Sequence, residues 1–232
     1  MQESMTTATE STVYQGAALA LLETAEQLFA EHGVDAVSTR EIARTAGQKN
    51  HSAVAYHFGS KGQLIAAILE LRLPAINERR QQLLTFLHDA GQSHNLRAIV
   101  GALVIPFVEQ LRSDNKHNHY VGFIGQLSAQ RHDELNHHAN PQHTTATRKL
   151  SRLMAAALAD IPRPLFYART ELMAAQLYQS LALWDARRRA GDPEYADQEL
   201  GWRTENLIDF ISAGLASPVS GPTRRQLKSR EE

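Results

Sequence analysis

The side chains of this sequence that are best suited to binding chemistry are concentrated between residues 39 and 61. Four cationic side chains there outnumber a single carboxylate, Glu41, and hydroxyl, amide and imidazole groups lie among them. Cationic groups bind phosphate, while amide, hydroxyl and imidazole groups can hydrogen-bond to base edges. The whole chain has a formal net charge of −1, so this basic character is local. The pattern favours a confined nucleic-acid contact and argues against a protein that coats nucleic acid.

A second candidate group consists of six histidines in the stretch 117–143: His117, His119, His132, His137, His138 and His143. His132 and His137 are five positions apart, whereas the zinc-binding HExxH pattern places its two histidines four apart on one helical face. The chain has no cysteine that could complete a metal site. We expect solvated loop histidines and no bound metal, with a metal site or a pH-dependent role as the alternatives.

The sequence lacks the signatures of catalysis. It contains no GxSxG motif, no phosphate-binding glycine loop and no dinucleotide fingerprint. Adjacent carboxylates such as Asp133 and Glu134 point apart on a helix. No apolar run has the length of a membrane span, and residues 1–12 do not have the pattern of a signal peptide. We therefore expect a cytoplasmic protein that contacts no membrane, is not an enzyme and needs no cofactor.

Helical patterns dominate the chain, and strand patterns are nearly absent. Apolar residues recur with a period of 3.6, and glycine or proline interrupts these runs at regular places. The pattern predicts an all-α protein of about nine helices. Residues 1–12 and 217–232 are polar and are expected to be disordered tails.

Short helices up to residue 73 have the spacing of a helix-turn-helix. Ala43 is small enough to let a second helix approach, and Gly47 permits the turn four residues later. Val54 would dock the second helix on Ile42, leaving that helix to lie in a major groove. We therefore predict a three-helix DNA-binding domain over 13–73, ending near Pro74.

This region resembles the DNA-binding domain of the TetR/AcrR family of bacterial transcriptional regulators over about residues 17–70. The matching residues are Thr39, Ile42–Ala43, Ala46–Gly47, Tyr56–His57–Phe58, Gly59–Ser60–Lys61 and Leu64, with Leu28–Phe29 and Gly33 upstream. The interval from Gly47 to Val54 is one residue longer than in most members. Ala55 stands where most members have the first residue of a Tyr-Tyr pair. This difference leaves the register of base contacts in 48–52 open.

We predict that ten residues contact DNA. Thr39, Tyr56 and Lys61 are assigned to phosphate, and His51, Ser52 and Ala55 to bases, with Lys49 or Asn50 as further base contacts. The complete set is Thr39, Arg40, Arg44, Lys49, Asn50, His51, Ser52, Ala55, Tyr56 and Lys61. Thr39 could instead serve only as a helix cap, Lys49 and Arg44 could be merely solvated, and Tyr56 could pack on the scaffold. His57 is expected to pack on the scaffold and Phe58 to lie in the core.

The remaining residues, 74–216, are predicted to form a larger helical bundle. The resemblance implies a small-molecule site inside it and a dimer formed by its last two long helices. The candidate pocket residues are Phe107, Phe123, Leu127, Met154 and Met173, and ordinary core is the alternative for each. The candidate dimer-face residues, taken from 167–187 and 203–215, are Tyr178, Leu181, Trp184, Leu207, Ile208 and Ile211.

Together these expectations describe a dimeric repressor that binds double-stranded DNA at a palindromic operator. A hydrophobic or amphipathic small molecule would release it. The alternative is a DNA-binding protein whose C-terminal domain serves a protein partner or an architectural role without a metabolite. Neither the effector nor the operator sequence can be derived from these residues.

Overall fold

The N-terminal head consists of three helices, α1 (Gly16–His32), α2 (Thr39–Thr45) and α3 (Ala53–Phe58). The computed structural model describes residues 14–111, 118–130 and 140–229. Apolar residues of α1 recur at three- and four-residue intervals, so Leu22, Ala25 and Phe29 share one fully buried face. This face packs against α2 and the next helix, α4.

Helix α4 (Lys61–Asp89) joins the head to the rest of the molecule. Its first part packs on α1 and α3, while the helix as a whole also packs on two helices of the bundle. Proline removes one backbone donor, yet α4 continues through Pro74 without a break. The predicted domain boundary near Pro74 therefore falls inside one continuous helix.

Five further helices form the bundle: α5 (Leu96–Val108), α6 (Tyr120–Gln130), α7 (Thr145–Ala157), α8 (Arg163–Arg189) and α9 (Leu200–Ala216). Helix α6 lies between α1 and α8. Glycines make this close packing possible, because a Cβ at Gly122 would lie 3.0 Å from the Cβ of Ala30, and one at Gly125 would lie 2.6 Å from the Cβ of Ala182. The head is thus held against the bundle by α6 as well as by α4.

The last helix, α10 (Gly221–Lys228), lies in a segment that the sequence analysis assigned to a disordered tail. Ser220 caps it by accepting a hydrogen bond from the Thr223 N–H at 3.3 Å, and proline stands in its first turn. The tail prediction is corrected over these residues, while the predicted tail 1–12 lies outside the described residues.

Across the described ranges the structure has ten α-helices and no strand, which confirms the all-α class with a helix-turn-helix head and a larger bundle. The helix beyond the expected nine or so is α10. Every helix in these ranges falls short of the combined length and hydrophobicity that crossing a bilayer requires.

Candidate nucleic-acid interface and ligand-binding core

The turn between α2 and α3 is built from backbone hydrogen bonds around Gly47. The Gln48 N–H donates to the Ala43 carbonyl at 2.9 Å and the Gly47 N–H donates to the Arg44 carbonyl at 3.1 Å. This pair of bonds is a Schellman motif, which ends a helix on a residue with positive φ. Gly47 has a φ of +70°, a value that glycine adopts without strain.

The start of each short helix is also fixed by a side chain. Ser38, not Thr39, caps α2, because its hydroxyl accepts from the Glu41 N–H at 3.1 Å. Thr39 is therefore the half-buried first residue of α2, and the capping alternative for it does not hold. Asn50 shapes the lengthened turn before α3, because its side-chain oxygen accepts from the Ser52 N–H at 2.9 Å.

Helix α3 presents one face to the core and the other to solvent. Val54 is 1% exposed and packs in one core with Ile42, as predicted, and Phe58 is buried too. On the opposite face Ala55 and His57 are exposed, and Tyr56 is 83% exposed. The His57 ring lies edge-on to Tyr56 with centroids 5.0 Å apart, and 6.2 Å from the ring centroid of buried Phe58. His57 is thus exposed but packs on its neighbours on α3, one of which belongs to the core.

The outer face of α2 and the turn before α3 enclose an open polar depression. It is lined by Arg40, Glu41, Arg44, His51 and Ser52. Four of the ten predicted DNA contacts therefore meet at one place, with one carboxylate among them. Lys49 is exposed in the turn beside them.

Lys61 lies at the start of α4, as expected, and makes contacts within the head that the sequence did not predict. Its ammonium group donates to the Val37 carbonyl at 2.6 Å and lies 5.5 Å from the centroid of the Phe29 ring. This half-buried side chain ties the start of α4 to the segment before α2. This contact fixes the start of α2 relative to the start of α4.

A buried ion pair, which sequence reasoning missed, joins the head to the bundle. Glu26 on α1 is 1% exposed and accepts two hydrogen bonds from Arg72 on α4, at 2.8 and 3.1 Å. It also accepts the His119 N–H just before α6, at 2.6 Å. Burial raises the pKa of Glu26, and these donors oppose that effect. The available signal was a carboxylate within the apolar stripe of α1, one position after Ala25.

Four of the five predicted pocket residues lie in the bundle core. Phe107, Phe123, Leu127 and Met154 are each at most 2% exposed. Phe123 stacks on Phe29 of α1 with centroids 6.0 Å apart, so it also faces the head. Met173 instead lines an open groove between α8 and α9, where it is half-buried and packs against the same core.

The predicted dimer-face residues require correction. Five of them are at most 8% exposed within the single chain: Leu181, Trp184, Leu207, Ile208 and Ile211. Tyr178 is half-buried, with its ring edge-on to Phe107. The same two helices expose a different apolar set, which we call the α8–α9 face: Leu172 (70% exposed), Leu183 (51%) and Phe210 (63%). The apolar residues that were predicted to form the dimer face therefore lie on the side of α8 and α9 that packs on this chain's own core.

Two of the six clustered histidines lie in the described residues. His143 is mostly buried, with its Nε2 2.7 Å from a carboxylate oxygen of Glu70, so it is not a solvated loop residue. Burial, and next the charge of Arg189, lower the pKa of half-buried His119. His117, His132, His137 and His138 fall outside the described ranges, and within those ranges no three metal-binding side chains gather at one point.

Known proteins resemble this chain most strongly in the head. An HTH-type transcriptional repressor of Mycobacterium tuberculosis is 47% identical over 53 residues, which are 23% of this chain and 28% of the relative. An HTH-type transcriptional regulator of Mycobacterium bovis matches equally. The chain thus spans little more than a quarter of the length of these curated relatives.

One solved structure, from Rhodococcus sp. and described as a TetR-family transcriptional regulator, covers 84% of this chain and 98% of its own, with 17% identity and a TM-score of 0.44. Family models match both halves of the sequence. The model for bacterial regulatory proteins of the tetR family matches residues 21–68, and a tetracyclin repressor-like C-terminal domain model matches residues 101–214. The chain therefore belongs to the tetR family of bacterial regulatory proteins.

Proposed function

We propose that this protein is a dimeric, sequence-specific DNA-binding transcriptional regulator, and that it is a repressor which a small molecule releases from its operator. The observation that carries the proposal is the exposed surface of α2, the turn before α3 and α3 itself. Arg40, Arg44, His51 and Ser52 line one depression there, and Tyr56 of α3 is exposed. The matching relatives, which are described as a repressor and regulators of the helix-turn-helix type, support it. Membership in a family of regulators also agrees with the expectation that the chain is not an enzyme.

In this proposal α3 enters the major groove. His51 and Ser52 at its start read base edges, while Arg44 and Tyr56 contact phosphate. Lys61 is assigned to phosphate through another N–H of its ammonium group, which is compatible with its bond to the Val37 carbonyl. A two-fold dimer would place two such heads ~34–36 Å apart, which suits a palindromic operator.

Effector binding would act through α4 and α6. Both helices contact α1 in the head and α8 or α5 in the bundle, so a shift in the bundle changes the orientation of the head. A ligand that favours the shifted arrangement reduces the population of dimers whose heads match the half-site spacing. We propose the bundle core around Phe107 as the effector site.

An electrophoretic mobility shift on the DNA upstream of the protein's own gene tests DNA recognition. We expect a sequence-specific complex at about 0.15 M salt. Arg44→Gln should weaken binding to all sequences and lower the salt slope by about 1, since one phosphate contact is lost. His51→Ala should relax base preference at one position per half-site.

Arg152→Gln is the matched control, because Arg152 is an exposed cation on α7, away from the head. A wild-type protein that makes no sequence-specific complex would refute the proposal. A specific complex that no metabolite in a broad screen dissociates would favour a protein partner for the bundle instead.

A further inference from the structure

The bundle core holds a positive charge inside an aromatic lining. We call this group the Arg80 cluster: Arg80 of α4, Phe107 of α5, Tyr120 of α6 and Tyr178 of α8. Arg80 is 5% exposed and Tyr120 is fully buried. The guanidinium carbon lies 4.8 Å from the centroid of the Phe107 ring. That ring stacks on Tyr120 at 6.3 Å and meets Tyr178 edge-on at 5.5 Å.

The hydrogen bonds of Arg80 leave its charge uncompensated. Nη1 donates to the Thr147 hydroxyl at 2.9 Å and Nη2 donates to the Leu103 carbonyl at 3.3 Å, and both acceptors are neutral. Its Nε and the Tyr120 hydroxyl are closed to solvent and have no hydrogen-bond partner. In the described part of the chain no carboxylate forms an ion pair with Arg80. Buried charges in proteins are ordinarily paired, and buried polar groups ordinarily bonded.

The other two arginines of α4 show the partner that Arg80 lacks. Arg72 directs its Nε and Nη2 at the carboxylate of Glu26, and Arg79 directs its Nε at the carboxylate of Glu109. The Nε of Arg80 is instead buried without a partner. Burial lowers the pKa of Arg80 and raises that of Tyr178, but a guanidinium stays charged at neutral pH. Among the described residues, the charge of Arg80 therefore has no anionic partner.

We propose that the Arg80 cluster binds the acid group of the effector, and that the effector is a small carboxylic acid with an aromatic or aliphatic body. The carboxylate would accept the Arg80 Nε–H together with a neighbouring Nη–H, in the two-bond geometry that guanidinium favours. The Tyr120 hydroxyl would donate a further hydrogen bond. Phe107 and Tyr178 would pack against the apolar part of the ligand.

This assignment rests on the proposed function only in giving the acid the role of effector. The competing explanation is structural, because Arg80 also links α4 to α5 through Leu103 and to α7 through Thr147. A structural arginine needs no ligand, so it gives no reason for an acid to bind better than its neutral analogue.

Calorimetric titration of the full chain tests binding with three acids and their primary amides: acetate, benzoate and decanoate against acetamide, benzamide and decanamide. We expect at least one acid to bind about ten- to hundredfold more tightly than its amide, the range for hydrogen bonds to a charged group. If no acid binds more tightly than its amide, the proposal is wrong.

Three variants test which residues cause the preference for the acid over its amide. Arg80→Gln should abolish the preference for the acid, and Tyr120→Phe, which removes only the unpartnered hydroxyl, should weaken acid binding about three- to tenfold. Arg79→Gln is the control, since Arg79 directly precedes Arg80 on α4 but is only partly buried and is paired with Glu109. An acid preference unchanged in Tyr120→Phe and Arg80→Gln would overturn the proposal. If Arg80→Gln does not fold, Tyr120→Phe decides the question.

The mobility shift separates this inference from the proposed function. Specific DNA binding without any acid preference refutes the acid site alone. Acid binding that depends on Arg80 in a protein that binds no DNA refutes the regulator and leaves the acid site standing. An acid that binds and also dissociates the DNA complex supports both.

Discussion

Glu26 shows how one side chain can hold two parts of the molecule together. It receives Arg72 from α4 and the His119 N–H from the start of α6, so three segments meet at one carboxylate. Removing one partner of such a buried pair typically costs about 3–5 kcal/mol, because the other charge is left uncompensated. The sequence marks Glu26 as unusual within an apolar stripe, but it does not identify partners that lie 46 and 93 positions away.

His119 should make stability depend on pH. Its pKa is lowered in the folded chain, so the unfolded chain binds the proton more readily between the folded value and about 6.5. Stability is therefore complete above about pH 6.5 and is lost as the pH falls through the folded pKa. We expect the free energy of unfolding in urea to fall less on acidification in His119→Gln than in the wild type.

The comparison for His119 is His94→Gln, because His94 is exposed in the segment between α4 and α5. That variant should follow the wild-type pH dependence. Identical pH dependence in His119→Gln and the wild type would contradict the assignment.

At the scale of elements, the turn at Gly47 decides how α3 is presented. A Cβ at Gly47 would meet no atom within 4 Å, so a side chain there faces open space. What a substitution would disturb is the backbone, since φ is +70°. The Schellman bonds from Gly47 and Gln48 depend on that conformation.

Gly47→Ala should lower the free energy of unfolding by about 1 kcal/mol, the cost of a left-handed backbone for a residue with a Cβ. It should also weaken specific DNA binding, because the angle between α2 and α3 changes. Gly91→Ala is matched, since Gly91 has a φ of +66°, open space around it and a place at the far end of α4. Both variants should lose similar stability in urea unfolding. Equal DNA affinity in the two would contradict a special role for the α2–α3 turn.

Helix ends could be predicted from the sequence better than helix partners. Gly33, Gly47 and Gly59 end α1, α2 and α3 or directly follow their last turns, because each takes the positive φ that a helix end requires. The 3.6-residue period likewise identified buried residues of α8 and α9. The period cannot say whether a buried face packs on the same chain or on another copy. The residues predicted as a dimer face therefore lie on the core side of these helices, and no sequence pattern marks Arg80 as buried.

At the scale of the whole molecule, the α8–α9 face is the surface that a second copy would cover. Leu172 and Leu183 are eleven positions apart, about three helical turns, so they lie on the same side of α8. Phe210 and Leu172 line the groove between α8 and α9. Exposed apolar side chains grouped in this way are typical of an association surface.

Leu172→Glu should convert the proposed dimer into a monomer, because two buried carboxylates would face each other across a two-fold axis. Analytical ultracentrifugation should give about twice the chain mass for the wild type and about the chain mass for the variant. Phe86→Glu is the control, since Phe86 is 67% exposed on α4. A monomeric wild type, or an unchanged dimer in Leu172→Glu, would contradict the predicted contact.

The continuity of α4 limits how the head of this protein can be fused to the bundle of another protein. Lys61 at the start of α4 and Arg80 in its second half belong to one continuous helix. The directions in which their side chains point relative to each other therefore depend on the number of residues between them. Inserting a single residue would turn one end by about 100° and move it by about 1.5 Å relative to the other. A hybrid that joins this head to another bundle at Pro74 would thus need the same residue count through α4. It would also need a partner for Glu26 at the start of its own α6.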